Sequence, residues 1–181
     1  MNETVINALA VLGVIAQVVL AALLAVLVLR AAGLSGPWRV VRATLNGSEL
    51  WLAFTVALVA TGGSLWFSEV AHFVPCKLCW LQRIAMYPLV LLFLPSIWRD
   101  RRAALYFLPL PVVGLGIAVW HNLVERGVVQ ENQSCVLSAP GGCSTRWIEE
   151  FGYLTIPLLA ATAFALAGSL LVLAARRDSP S

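Results

Sequence analysis

The residues whose types and spacing suit chemistry are Cys76 and Cys79, which stand where a polar connection meets a long apolar run. A disulfide between cysteines that are separated by two residues closes a small ring, and such disulfides tend to exchange with other thiols. The first thiol of a helix also feels the positive end of the helix dipole, which lowers its pKa and enriches the thiolate. The spacing also allows half of a zinc site or an inert bridge. Of these three interpretations we favour redox chemistry.

A second pair, Cys135 and Cys143, lies in a polar segment at about 125–152, with seven residues between the two cysteines. A four-cysteine zinc site commonly has a second closely spaced pair, and this spacing is permitted but not typical. It suits a second disulfide on a mobile loop, and connections of this length are often functional. Two dithiol pairs on one face predict a relay, in which one pair meets an exported protein and the other passes electrons onward.

Three polar residues are expected near the first pair, at the depth of a lipid-soluble acceptor such as a quinone. Arg83 follows Cys79 by four residues, so it shares the same helical face one turn deeper. An arginine inside a span is costly, and it either serves a function or extends to the interface. Gln82 offers a further hydrogen bond, or simply packs between helices. His121, near the end of a later span, could bond a quinone carbonyl, move protons or be purely structural.

The elements that must position these residues are membrane spans. The 181 residues are 60% hydrophobic and 12% charged, whereas soluble domains are about a quarter charged. Five runs are long enough to cross a hydrocarbon core of about 30 Å, at roughly 5–29, 50–68, 80–98, 103–124 and 153–175. Arginines stand beside apolar spans and form no extended basic face, so we expect no nucleic-acid partner.

The distribution of basic residues predicts the orientation in the membrane. Eight lie at one end of the predicted spans: Arg30, Arg39, Arg42, Arg99, Arg101, Arg102, Arg176 and Arg177. Four lie at or near the other end: Lys77, Arg83, Arg126 and Arg146. By the positive-inside rule the first group is cytoplasmic, so the N-terminus and all four cysteines are outside and the C-terminus is inside. Cysteines confined to the oxidising side favour disulfide chemistry.

The first run is expected to be an uncleaved span, because no basic residue precedes it and its apolar core, about 25 residues, is too long for a signal peptide. Its one polar residue is Gln17, and an inert anchor is the simplest role for this helix. Residues 37–42 could begin a short interfacial helix. Gly62 and Gly63 could let a neighbouring helix approach closely, and Pro88 and Pro95 predict a kinked third span.

Two stretches carry a resemblance to a known family. Pro75-Cys-Lys-Leu-Cys-Trp-Leu-Gln-Arg-Ile-Ala-Met-Tyr-Pro-Leu89 resembles the active-site segment of the DsbB family of membrane disulfide-generating proteins, most closely its Gram-positive BdbC branch. A second match is Cys143-Ser-Thr-Arg-Trp-Ile-Glu-Glu-Phe-Gly-Tyr-Leu-Thr-Ile-Pro157. The resemblance covers about residues 50–175, with both cysteine pairs and four spans. The long motif is far more specific than a bare C-x-x-C.

The resemblance implies an all-α integral membrane protein: a four-helix bundle at 33–181, preceded by an additional transmembrane helix at 1–32. It implies a bacterial cell-membrane enzyme that reoxidises an exported, thioredoxin-fold, DsbA-like dithiol oxidase and passes the electrons to ubiquinone or menaquinone. Cys76 and Cys79 would then be the quinone-proximal pair, with Cys79 facing the ring. Cys135 would form the mixed disulfide with the partner, and Arg83 would belong to the quinone site.

Two departures and two alternatives remain. The first span is additional to the usual four, and the loop pair is closer in sequence than in the Gram-negative branch, which leaves open whether an interloop disulfide forms. One alternative is a quinone reductase resembling vitamin K epoxide reductase, although the Trp-Leu-Gln-Arg continuation favours the oxidase. The other is a membrane scaffold with structural or zinc-binding cysteines, whereas the oxidase should hold no metal.

Overall fold

The protein is all-α over the residues that the computed structural model describes, which are 2–45, 47–98 and 102–175. Seven α-helices follow one another: α1 Asn2–Ala31, α2 Gly36–Leu45, α3 Glu49–Glu69, α4 Lys77–Trp98, α5 Pro109–Glu125, α6 Gln133–Val136 and α7 Ile156–Ala175. Five segments are long and apolar enough to cross a membrane, formed by α1, α3, α4, the 105–125 region and α7. The prediction of an all-α integral membrane protein is confirmed.

Prolines determine how the predicted fourth span begins. A 3-10 helix, Arg102–Phe107, precedes α5, which starts at Pro109. Proline lacks an N–H, which the first turn of a helix leaves unpaired, and its fixed φ is close to the helical value, so it is suited to the first turn of a new helix. By contrast, α4 remains helical through Pro88 and Pro95, and its expected kink stays a prediction. The short helix predicted to begin near residue 37 is α2, and its place at the membrane interface stays a prediction.

Four long helices, α3, α4, α5 and α7, pack around one apolar core. Its largest completely buried side chains include Phe93 and Leu89 of α4, Phe164 and Leu171 of α7, and Leu50 of α3. The ring of Phe164 lies against Gly114 of α5 so closely that a Cβ on Gly114 would stand 2.3 Å from Cε1. Glycine therefore sets the distance between α5 and α7.

The additional helix α1 packs along α7. A Cβ on Gly13 would overlap the Leu159 side chain, so the two helices are in close contact there. Gln17, the polar residue of the first run, accepts a hydrogen bond from the Tyr153 hydroxyl at 2.9 Å, and its Nε2 lies 3.5 Å from Thr162 Oγ1. These contacts show that α1 packs against the bundle, and the expectation that it is otherwise an inert anchor stays a prediction.

At the other end of α1, the cytoplasmic side in the predicted orientation, two arginine side chains flank one aromatic ring. The guanidinium of Arg30 lies 4.3 Å from the ring centre of Trp38 in α2, and that of Arg42 lies 5.7 Å away. Such cation–π contacts tie α2 to the end of α1. Four of the basic residues used for the orientation, Arg99, Arg101, Arg176 and Arg177, lie outside the described residues.

Candidate functional site

The C-x-x-C pair lies at the start of α4, as its sequence position predicts. Cys76 immediately precedes the helix, and its carbonyl accepts the N–H of Trp80 at 3.1 Å. The sulfur atoms of Cys76 and Cys79 are 2.9 Å apart, and the Cys79 N–H points at the Cys76 sulfur from 3.3 Å. Both are free thiols. Helix geometry therefore aims a backbone donor at the first sulfur of the pair, which favours its thiolate.

The Cys76 sulfur lies in a buried cluster with Cys135, Cys143 and Val124. Nε2 of His121 is 3.7 Å from this sulfur. The hydrogen bond with Cys79 and then the contact with His121 lower the pKa of the Cys76 thiol from 9.0 to about 4, despite the opposing effect of burial. Cys76 is consequently a thiolate at neutral pH, which is the form that takes part in disulfide exchange.

The loop after α5 carries a disulfide between Cys135 and Cys143, whose Cα atoms are 5.4 Å apart. The two residues are 3% and 1% exposed, so the loop encloses its own disulfide. The Asn132 side chain accepts the N–H of Cys135 at 3.0 Å and caps the one-turn helix α6. Glu131 Oε2 accepts the N–H of Cys143 at 2.8 Å. These two polar side chains hold both ends of the bridge.

The loop is fastened to the start of α4 by Lys77. Its backbone N–H donates to Ser138 Oγ at 3.0 Å, and its ammonium group lies 3.0 Å from Ser134 Oγ. These bonds hold the loop disulfide over the C-x-x-C pair. Further along the chain, residues 146–151 form no helix, and a bridge between Glu150 and Leu154 closes a turn before α7.

Cys79 packs against the edge of this cluster and also lines a cavity of about 300 Å³ with predominantly apolar walls. Its polar lining near the sulfur comes from Gln82 and Arg83. Cys76 and His121 are not among the residues that line it. Both cysteines of the motif therefore adjoin the cluster that holds the loop disulfide, and of the two it is Cys79 that also lines the apolar cavity.

Arg83 is 9% exposed and is held by α3. Its Nε donates to Ser64 Oγ at 3.0 Å and its Nη2 donates to the Ser64 carbonyl at 2.9 Å. The Tyr87 hydroxyl is 3.3 Å from the same serine oxygen, and the guanidinium lies 5.1 Å from the Trp80 ring centre. A guanidinium has five N–H donors, so three remain after the two bonds to Ser64. Arg83 is fixed in position with donors to spare.

His121 is 3% exposed and lies between the two cysteine pairs. Its Nε2 is 3.1 Å from the carbonyl oxygen of Cys143, and its Nδ1 is 3.2 Å from Nε2 of Gln82. Because a carbonyl only accepts, Nε2 carries a hydrogen. Of the two functional roles expected for His121, contact with a quinone carbonyl finds no support, since the ring is absent from the cavity lining. Its place beside Cys76 suits proton handling.

Three neighbours of the site, Ser64, Glu131 and Glu125, are not predicted by the sequence analysis. Ser64 holds Arg83, and Glu131 holds Cys143, but neither has a spacing that indicates its partner. Glu125, one turn after His121 on α5, is buried, and its Oε1 lies 3.7 Å from Nε of Arg146. A carboxylate four residues beyond a histidine shares its helical face, which was the one available hint.

The ligating atoms of Cys76, Cys79 and His121 lie within 4.8 Å of one another, so a metal site is geometrically conceivable. The sulfurs are 2.9 Å apart, however. Two thiolates on one tetrahedral zinc ion, at Zn–S distances of about 2.3 Å, stand about 3.8 Å apart. The observed spacing fits a dithiol that closes to a disulfide better than a zinc site.

Comparison with known proteins agrees with this geometry. The family profile described as "Disulfide bond formation protein DsbB" matches residues 47–174, which include α3 to α6 and nearly all of α7. A "Probable disulfide formation protein" of Deinococcus radiodurans is 46% identical over 133 residues, covering 68% of this chain and 86% of the relative. "Disulfide bond formation protein C" of Bacillus subtilis is 42% identical over 123 residues, covering 65% and 85%. No solved structure matches. The chain belongs to the DsbB family of disulfide bond formation proteins.

Proposed function

We propose that this membrane protein is a quinone-dependent thiol oxidase that reoxidises an exported, DsbA-like, thioredoxin-fold protein. One observation carries the proposal: Cys76 shares a buried cluster with both loop cysteines, and Cys79, packed beside that cluster, also lines the apolar cavity. A protein substrate and a lipid-soluble oxidant can therefore act on the same motif from opposite sides. Cys135, Cys143, Cys76 and Cys79 are the four redox-active residues of the proposal.

The first exchange takes place at the loop. A thiolate of the reduced partner attacks Cys135, forming a mixed disulfide and releasing Cys143 as a thiolate. The partner's second thiolate then attacks its own bridged sulfur, which releases Cys135 and leaves the partner oxidised. The loop pair has gained two electrons, and the partner has gained one disulfide.

The second exchange passes those electrons to the C-x-x-C pair in its oxidised state. A loop thiolate attacks Cys76 in the Cys76–Cys79 disulfide, and the other loop thiolate resolves the mixed disulfide. Cys76 is the accessible target, since it shares the buried cluster with both loop cysteines. His121, with an N–H directed at this cluster, stabilises the emerging Cys76 thiolate and moves its proton.

The cavity residues fit a quinone. The walls are apolar, Cys79 supplies the sulfur, and Arg83 and Gln82 supply hydrogen-bond donors beside it. A bound quinone would accept two electrons and two protons and so restore the Cys76–Cys79 disulfide. Arg83 would orient the ring by donating to an oxygen, while its bonds to Ser64 prevent it from swinging away.

We place the cysteine end of the bundle outside the cell. The basic residues at the opposite end support this orientation, and among them Arg30 and Arg42 surround Trp38 as interfacial residues do. In that orientation the loop disulfide faces an exported partner, and the cavity lies at membrane depth beside Cys79.

The test uses the purified full-length protein, a reduced thioredoxin-fold donor and either ubiquinone or menaquinone. We expect quinone absorbance to fall in proportion to donor oxidation. Cys79→Ser should abolish turnover but still allow exchange at the loop, whereas Cys135→Ser should block the donor step. Normal turnover by Cys79→Ser would show that the assignment is wrong.

The scaffold alternative is tested by metal analysis of freshly purified protein. Stoichiometric zinc bound through Cys76, Cys79 and His121 would support it, and its loss on alkylation would identify the ligands. The oxidase hypothesis instead expects thiols that reoxidise on addition of quinone. The reductase alternative is disfavoured by the family match over residues 47–174.

A further inference from the structure

The helix that lies outside the family match forms a wall of the cavity beside Cys79. The match begins at residue 47, so α1 is not part of it. Four of its residues, at spacings of three and four, line the cavity: Leu9, Leu12, Gly13 and Ala16. This spacing puts them on one face of the helix. The opposite wall carries Cys79 and Arg83 on α4.

Two features fix α1 in that position. Gly13 permits close contact with Leu159 of α7, and Gln17 bonds to Tyr153 and approaches Thr162. In a lipid environment, small residues that allow close approach and polar residues that bond across helices are the main sources of helix association. The contacts therefore hold the small residues of α1 towards the cavity.

The junction between α1 and α3 is looser. At Gly63 of α3, a Cβ would stand 3.3 Å from the Leu9 side chain, which bears out the expected close approach at this glycine. Beside Gly62 there is open space. The packing of α1 is mainly against α7. Because the Leu9 side chain is flexible and Gly63 has no side chain, this contact is easily opened. A lipid-soluble molecule could therefore enter the cavity from the bilayer between α1 and α3.

We propose that α1 is the membrane-side wall of the quinone cavity and that Ala16, with Gly13, sets how much space the ring has. This inference rests on the proposed function of the cavity. It gives the additional helix a substrate-selecting role. A larger side chain at Ala16 would occupy cavity space that the ring needs, without touching the loop disulfide.

The test compares Ala16→Phe with Ala22→Phe, the same substitution on an exposed face of the same helix. A phenyl group at position 16 would take up space in the cavity, so we expect Ala16→Phe to raise the KM for quinone about tenfold. Ala22→Phe should match the unsubstituted protein. The rate of loop disulfide exchange with the donor should be the same in all three, which shows that the variants are folded.

A second measurement uses the unsubstituted protein and an azido-substituted benzoquinone, which needs no turnover. On illumination we expect label in the α1 peptide that contains residues 9–16. Label confined to α3, α4 and α7 would overturn the inference, and so would an unchanged KM in a folded Ala16→Phe variant. If the unsubstituted protein reduces no quinone, the proposed function fails, while the labelling result still decides whether α1 is a wall of the cavity.

Discussion

Two substitutions at and beside Arg83 should reduce quinone turnover to different extents. Some N–H groups of Arg83 bond to Ser64 and fix its position, whereas the others are free to bond to a quinone. Arg83→Met removes the guanidinium completely. A hydrogen bond from a charged donor contributes about 1.5–3 kcal/mol, so kcat/KM for quinone should fall about 10- to 150-fold. Ser64→Ala removes the acceptor of Nε but leaves the backbone carbonyl that binds Nη2. Arg83 keeps the donors that face the cavity and one of its two positioning bonds, so the fall should be smaller, about 2- to 12-fold, although the Tyr87 hydroxyl also loses its serine partner.

The assay is quinone reduction under steady-state conditions, with loop disulfide exchange measured separately. Exchange should be unaffected in both variants, since neither Arg83 nor Ser64 belongs to the cysteine cluster. Ser96→Ala is the matched control: its hydroxyl bonds within α4 to the Leu92 carbonyl, and it is not among the cavity residues. The reasoning is refuted if Ser64→Ala costs as much as Arg83→Met, or if Arg83→Met retains normal kcat/KM.

Three further predictions concern reactivity and stability. The rate of Cys76 alkylation in the reduced protein, followed by peptide mass spectrometry, should change little around neutral pH and decline around pH 4. His121→Ala should raise that midpoint because an N–H facing the sulfur is lost. The pKa of Cys76 is lower in the folded protein than its ordinary value of 9.0, so ionisation of Cys76 stabilises the reduced, folded protein. This contribution is complete above pH 9.0 and disappears as the pH falls through about 4. Gly114→Ala should lower the free energy of unfolding in detergent by about 1–3 kcal/mol relative to Gly116→Ala, whose added methyl would meet open space; equal stabilities would contradict the packing argument. Glu131→Gln should speed reduction of the loop disulfide by dithiothreitol about fivefold, because a neutral amide holds the Cys143 N–H less strongly than a carboxylate does. The control is Glu149→Gln, which changes only an exposed ion pair with Arg146 and should leave that rate unchanged.

The sequence was sufficient to predict the spans, because a membrane helix forms its backbone hydrogen bonds within itself. Its length and apolar composition are therefore enough to identify it. It also placed Cys79 and Arg83 correctly on one face, since four residues in a helix is a local relation. It did not reveal Ser64 as the partner of Arg83, which lies 19 residues away on another helix. Contacts between helices depend on how the helices rotate against each other, and the spans carry too little amphipathic pattern to fix that rotation.

Gln17 and His121 show the same limit in two forms. A single polar residue in an apolar helix indicates a polar partner. The sequence does not reveal that the partners of Gln17 are Tyr153, just before α7, and Thr162, on α7. The depth of His121 followed from its place near the end of a span. Its direction, towards Cys76 and not into the cavity, depends on the loop that folds over it, and loops have no periodicity to read.

The burial of the loop disulfide has a consequence for selectivity. A small thiol in the surrounding water finds neither sulfur of Cys135–Cys143 at the surface, whatever its reducing power. A protein that binds the loop can use its binding energy to displace α6 and bring Cys135 into line with its own thiolate. Under the proposed function, a reductant is therefore selected by its ability to unfold the one-turn helix α6. Small thiols that lack this ability would not reduce the loop disulfide.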